Sequence, residues 1–387
     1  MGQEKYEVWF AGIRGLGARK KYLLHEALKS CRNAYYIEET QLKKFPFLTE
    51  KDGQEIRQAQ KRKDPEKICE EMKKKGIRII PYYSEKYPPK LLQLADFPFA
   101  LFVKGKLPGK DTEKAAIIGA RNCTAYGEKY AVEYGRKLAQ AGVDVISGLA
   151  RGIDGMGHRG ALMEKGKTFA VLGCGVDICY PREHIGLYMD ILEQGGGILS
   201  EFPPGTPPLA VNFPLRNRII SGLSDVILVM EAREKSGSLI TADAALEQGK
   251  DVACLTLGDP TIYSTYIYIH RILKAHAYAN EIINGIPSFC AVSAKLQDSL
   301  VDRSEQLHII PSTYDIEAAL ELPGTKVLMK AASKMPLVKA TLKEKHMTGT
   351  MIENCGMPEE HIYHKIDEIP DRASYYSIIV VKEGNHD

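Results

Sequence analysis

Four short stretches hold the residues whose types and spacing could do chemistry. AIIGARNCTAYG carries Gly119 and Arg121, and VISGLARGIDGMGHRGAL carries Ser147, Gly148, Arg151 and Gly152. NFPLRNR adds Arg216, Asn217 and Arg218, and EAREKSGSLIT adds Ser236 and Gly237. Glycines let a backbone approach a ligand closely, and a helix N-terminus offers unpaired N–H groups and a positive dipole end. Arginines beside such turns point to anion binding, with phosphate as the natural ligand. A fifth stretch, LTLGDP, reads as a strand running into a Gly258-Asp259-Pro260 turn. No G-x-G-x-x-G follows the first strand and no G-x-x-x-x-G-K-[ST] occurs, so neither a dinucleotide cofactor nor ATP hydrolysis is expected.

The elements that position these residues follow from hydrophobic pattern. From residue 114 onward, short apolar runs alternate with helical stretches. Strands are expected at 115–121, 143–148, 167–175, 196–203, 225–232 and 250–258. Helices are expected at 126–141, 155–165, 215–223 and 239–249. Continuous apolar strands separated by helices indicate a parallel sheet covered on both faces, which is a Rossmann-like doubly wound domain. Its ligands should sit beyond the carboxyl ends of the strands, where the four motifs fall. Asp154 reads as a turn or cap residue and His158 as structural. Phe213 and Tyr180 are aromatic residues within these stretches that could assist ligand binding, and Phe213 reads equally as core.

Residues 1–100 read as a small helical domain of the helix-hairpin-helix or sterile-alpha-motif type. A glycine turn (Gly12, Gly15, Gly17) with Arg14, Arg19, Lys20 and Lys21 could face a phosphate. Lys61-Arg62-Lys63 reads as a solvated face. Beyond residue 253 the pattern suggests a separate mixed α/β unit. There a helix is expected at 263–275 and strands at 281–285, 307–311, 325–330, 349–356 and 375–381. The expected domains are therefore 1–100, 101–253 and 254–387.

Charge and cysteine content narrow the classes of partner. The net charge of +3 conceals an asymmetry. Residues 251–387 carry 13 Lys+Arg against 18 Asp+Glu, leaving 39 against 31 in residues 1–250. A basic front suits a polyanion; the back does not. Eight scattered cysteines with no C-x-x-C pair argue against a metal site, and Cys174 and Cys179 read as small apolar residues. No apolar run approaches the length of a membrane span and MGQEKYEVWF shows no leader pattern, so a cytoplasmic, reduced protein is expected.

The motifs up to Gly249, including AVLGCGVDICYPREH and LSEFPPGTPPLAVNFPLRNRIISGLSD, closely resemble the DNA-processing protein A family, also called Smf. That resemblance implies a helical domain before a Rossmann-like domain and non-catalytic binding of single-stranded DNA. It also implies loading of the RecA recombinase during DNA uptake, homodimerisation, and no cofactor. Its phosphate-binding positions map to Gly119, Arg121, Ser147, Gly148, Arg151, Gly152, Arg216, Asn217, Arg218, Ser236 and Gly237.

After residue 250 the sequence is similar instead to the tetrapyrrole methylases, most closely precorrin-2 C(20)-methyltransferase. GDPTIYSTY and GIPSFCA carry that similarity, supported by LHIIPSTYD, GTKVLMK, ENCGM and ASYYSIIVVKE. It implies S-adenosylmethionine as cofactor, contacted at Gly258, Asp259, Pro260, Ser264, Thr265, Ile286 and Pro287, and precorrin-2 as substrate. The first domain of those enzymes has no counterpart in residues 1–250, so half the cofactor cleft is lacking and little or no methyl transfer is expected. Three functions follow: a DNA binder carried on a hybrid chain, a methyltransferase, or a non-functional fusion. KDVACLTL is the strand that either fold could take.

Overall fold

The computed structural model describes residues 2–61, 64–232, 236–264, 266–311, 315–357 and 359–382. The chain divides into two units, Met1–Leu255 and Thr256–Asp387.

In the first unit, six parallel strands lie at β3 (Lys114–Gly119), β4 (Asp144–Ser147), β5 (Thr168–Val171), β6 (Gly197–Ser200), β7 (Val226–Met230) and β8 (Asp251–Leu255). Two more, β1 (Ile77–Pro81) and β2 (Ala100–Gly105), precede them. The sheet order is β1-β2-β6-β5-β4-β3-β7-β8. β1 and β2 pair antiparallel with each other, and β2 pairs antiparallel with β6. Residues 77–81 and 100–105 therefore correct the reading of the first hundred residues as helix and loop. IRIIP and ALFVKG are apolar runs too short for a helix, and as strands they bury four residues each. The parallel strands are apolar along their length because helices cover both faces. Ile117, Ile146, Val145 and Val171 are fully buried.

Chain order and strand order part company at one place. The chain moves from β3 outward through β4, β5 and β6, then returns to the other side of β3 to form β7 and β8. The carboxyl ends of β3 and β7 thus border a topological switch point, where ligands of doubly wound sheets bind. The helices that follow β3 and β7, Ala125–Gln140 and Gly237–Glu247, start beside it.

β8 belongs to this sheet. It pairs in parallel with β7 from Val226↔Asp251 to Met230↔Leu255. The strand that either fold could take therefore completes the Rossmann-like sheet, after the helix Gly237–Glu247 returns the chain alongside β7.

The helical part of the first unit packs Phe10, Trp9, Leu24, Ile56 and Met72 into one apolar cluster with Phe99, Phe102 and Ile198 of the sheet region. Its glycine turn does not hold a free cluster of cations. Lys20 pairs with Asp52 at 2.5 Å, Arg19 lies over the Tyr22 ring, and Lys21 donates to the Ala11 carbonyl at 2.5 Å. Burial pulls the Lys21 amine down to about 8. Lys20 and Lys21 are thus committed within the unit, while Arg14 and Arg19 stay exposed at the turn. Arg62 and Lys63 lie outside the described residues.

The second unit has a mixed sheet of β9 (Leu307–Pro311), β10 (Thr325–Met329), β11 (Thr348–Glu353), β12 (His361–Tyr363) and β13 (Ser377–Lys382), in the order β12-β11-β13-β10-β9. Only β9 and β10 run parallel. Leu328, Ile379, Met351 and Leu342 are buried on one side, and Val327, Ile352 and Val292 on the other. Residues 281–285, expected as a strand, form none. Asn284 and Gly285 are drawn instead to the Asp259 carboxylate, through Nδ2 at 3.4 Å and the backbone N–H at 3.1 Å.

Candidate nucleic-acid interface

A cleft of about 620 Å³ opens at the switch point. Gly119 and Arg121 enter it from the end of β3, Phe213, Arg216 and Asn217 from the helix Asn212–Leu223, and Ser236 and Gly237 from the helix Gly237–Glu247. The β3 turn can lie this close to β7 because residue 119 has no side chain: a Cβ there would overlap the Met230 carbonyl oxygen and stand 2.7 Å from Ile153. Gly152 solves a second packing problem. Its φ of +68 turns the chain into the helix Ile153–Met163, and a Cβ would overlap the Ala120 carbonyl oxygen. The Ile153 N–H then donates to that carbonyl at 3.2 Å, which fixes the turn bearing Arg121.

The arginines of the motifs differ sharply in what they can offer. Arg121 is exposed, and its guanidinium carbon lies 5.5 Å from the centre of the Phe213 ring. Phe213 lies 5.6 Å from Tyr180, ring centre to ring centre, and Tyr180 is well exposed. Cation, half-buried ring and exposed ring thus form one surface on the cleft. Across it, the helix Gly237–Glu247 begins. Ser236 and Ser238 share a hydroxyl hydrogen bond of 2.7 Å, and the Asn217 amide donates to the Gly237 carbonyl at 3.1 Å.

Arg216 is a strut. It is 4% exposed. Its Nη1 donates to the Gly148 carbonyl at 2.9 Å and to the Val171 carbonyl, tying the ends of β4 and β5 together. Asp154 accepts from the Gly148 N–H at 3.1 Å. Gly148 is where the two meet: a Cβ there would lie 2.6 Å from Arg216 Nη2 and 2.7 Å from Asp154 Oδ2. Burial pulls the Arg216 guanidinium down to about 10 against the opposing charge of Asp154. Burial raises the Asp154 carboxyl, with Arg216 acting against the shift. Asp154 is therefore the counter-charge of the cleft floor. Only its separation from Arg216 in sequence hid this role, since nothing local marks the pairing.

The remaining motif residues fall outside the cleft lining. Ser147 is fully buried and donates to the Ile117 carbonyl at 2.5 Å, so its hydroxyl is not offered to a ligand. Arg151 sits on the surface paired with Glu183. Arg218 pairs with Asp96 and Glu201, both at 2.8 Å. Gly148 and Gly152 support the floor. His158 is fully buried, with Nδ1 2.6 Å from Thr168 Oγ1. The Thr168 hydroxyl donates to Val145, so His158 donates to Thr168 and its Nε2 is left buried without a partner.

A family model for the DNA recombination-mediator protein A matches residues 78–284, more than half the chain. The chain belongs to this family. It is 46% identical over 220 residues to Protein Smf of Escherichia coli strain K12, spanning 55% of this chain and 59% of that one. It is 40% identical over 218 residues to DNA processing protein DprA of Bacillus subtilis strain 168, spanning 56% and 73%. The X-ray structure of DprA from Streptococcus pneumoniae superposes with a TM-score of 0.59 at 29% identity, covering 72% of this chain and 95% of that one. A second model, for the tetrapyrrole (corrin/porphyrin) methylases, matches residues 224–370. A protein described as probable cobalt-precorrin-2 C(20)-methyltransferase of Methanocaldococcus jannaschii is 31% identical over 145 residues, 36% of this chain and 62% of that one. The two models overlap over residues 224–284, so both patterns read through β7, its helix and β8.

In the second unit Asp259 organises its own loop. Its carboxylate accepts from the Thr261 N–H at 2.8 Å, from the Thr261 hydroxyl, and from Asn284 and Gly285. Gly258 is thereby brought near the Ile286 carbonyl, and Gly285 packs against the Gly258 and Asp259 backbone. Ser264 accepts from the Tyr266 N–H at 3.2 Å, capping the helix Tyr266–Ala275. Thr265 lies outside the described residues. Ile286 is 71% exposed. Among the described residues, no group of three His, Cys, Asp or Glu side chains is placed to hold a metal ion, and no helix is long and apolar enough to cross a membrane.

Proposed function

We propose that the first unit binds single-stranded DNA without catalysis, as a recombination mediator. One observation carries the reading: an exposed guanidinium stacked on an aromatic ring shares a switch-point cleft with a helix N-terminus. A phosphate placed between Arg121 and the start of the helix Gly237–Glu247 meets a charge-assisted donor on one side and a positive dipole end on the other. A base beside it can stack on Phe213 and Tyr180. Stacking needs an unpaired base, which selects single strands over duplex, and it tolerates any sequence because every base has a π-face. The family match supports the same reading.

The reading extends to a RecA-class recombinase as the partner that receives the strand, and to a homodimer as the acting form. A labelled thymidine oligonucleotide tests its core. Binding should be displaced by unlabelled single strand and not by an equal concentration of duplex of the same length. Equal displacement by duplex would overturn it.

For the second unit we infer a cofactor cradle with one wall. Gly258–Pro260 and Ile286–Pro287 would hold one side of S-adenosylmethionine, which supplies a methyl group when bound. Asp259 is already committed to the loop's own amides, and the exposure of Ile286 marks the open side. No methyl transfer to precorrin-2 is assigned to this chain.

A further inference from the structure

The phosphate site that doubly wound folds usually offer is the N-terminus of the helix after the first strand of the βαβ unit. Here that helix is Ala125–Gln140, and an internal anion already occupies its start. The Thr124 N–H donates to Glu231 Oε2 at 2.8 Å, and the Thr124 hydroxyl donates to Glu231 Oε1. Thr124 Oγ1 in turn accepts from the Gly127 N–H at 3.2 Å. Two features show how closely the surroundings are built around this carboxylate. Glu231 has a φ of +49, a conformation that a non-glycine residue holds only when its environment compensates. Residue 127 has no Cβ, and one built there would stand 2.6 Å from Glu231 Cδ.

We propose that Glu231 is a specificity-determining residue: its carboxylate takes the place of a nucleotide phosphate at the start of the helix Ala125–Gln140 and closes that helix N-terminus to free mononucleotides and dinucleotides. Ligand phosphates are then confined to the Arg121 and Gly237 side of the cleft. This goes further than the absence of a glycine fingerprint, which says only that a favourable loop is missing. The inference rests on the cleft being a phosphate site, but its test does not require DNA.

The test uses the full chain and ADP as probe, read by calorimetry, with a thymidine oligonucleotide measured in parallel. Glu231→Gln keeps the side-chain shape and removes the anion, and it should bind ADP at least about tenfold more tightly than the unaltered protein. Glu128→Gln removes a carboxylate from the same helix turn without touching the plug, and serves as the control for a general charge effect. It should change ADP affinity less than about threefold. Equal gains in the two variants, or an unchanged ADP affinity in Glu231→Gln, would overturn the proposal. Should Glu231→Gln lose its helical circular dichroism, Glu231→Gly removes the carboxylate at a backbone conformation that glycine readily adopts. A failure of Glu231→Gly to raise ADP affinity then overturns it as well. Loss of oligonucleotide binding in the unaltered protein would refute the DNA reading and leave the ADP comparison standing.

Discussion

Arg216→Ala separates a structural arginine from a ligand-binding one. The substitution removes two hydrogen bonds that tie β4 to β5 and leaves Asp154 buried without its counter-charge. Breaking a buried charge pair from one side costs about 3–5 kcal/mol. For a unit of this size, each kcal/mol lowers Tm by about 2–4 °C, so a fall of about 6–20 °C is expected. Thermal melting followed by circular dichroism reads it directly. Adding Asp154→Asn should restore part of the loss, because the stranded carboxylate is then gone. Arg121→Ala is the counterpart. Arg121 is exposed and rests on the Phe213 ring, so the melting temperature of the variant should stay within about 2 °C of the unaltered protein. The reasoning is refuted if Arg216→Ala melts normally yet loses DNA, or if Arg121→Ala unfolds the protein.

Phe213→Ala should weaken oligonucleotide binding by about 1–3 kcal/mol, or roughly 5- to 150-fold, if a base stacks there; fluorescence anisotropy at fixed salt measures this. His158 sets an acid limit on the first unit. Burial depresses it from 6.5 to about 3, so its stability contribution is complete above pH 6.5 and is lost as pH falls below that value. The unfolding free energy from urea titrations should drop by about 1.4 kcal/mol per pH unit between 6 and 4 from this residue, and His158→Gln should flatten that slope. Calorimetry with S-adenosylmethionine should show no saturable heat at micromolar concentrations, because one wall of the cradle is missing; tight binding would restore the methyltransferase reading.

Much of this architecture was legible because it is periodic. Alternation of apolar runs with helices located the six parallel strands to within a few residues, and glycine turns marked the carboxyl edge of the sheet. Four things were not legible, each for a physical reason. IRIIP and ALFVKG join the sheet through long-range antiparallel pairing, and a short apolar run does not announce its partner. Arg121, Arg151, Arg216 and Arg218 look equivalent in sequence, yet only the fold brings Glu183, Asp154, Glu201 and Asp96 to the last three. The strand 251–255 fits two folds by pattern, and its parallel register with β7 decides the matter. The role of Glu231 depends on a backbone conformation and on a glycine 104 positions earlier, neither of which a local pattern conveys.

Those lost charges change the expected electrostatics of binding. With Arg151 and Arg218 neutralised and Arg216 balanced by Asp154, the cleft neutralises few phosphates: about two, one at Arg121 and one at the helix N-terminus. For single strands the slope of log K against log salt is about −0.7 per phosphate, so a slope near −1.4 is expected, about a sevenfold loss between 50 and 200 mM salt. Titrating a labelled thymidine oligonucleotide across that range, with Arg121→Ala alongside, tests the central claim most directly. The account expects the shallow slope, and a further flattening of about 0.7 together with weaker binding in the variant. A slope of about −2.8 or steeper, as four free arginines would give, or one that Arg121→Ala leaves unchanged, would contradict it.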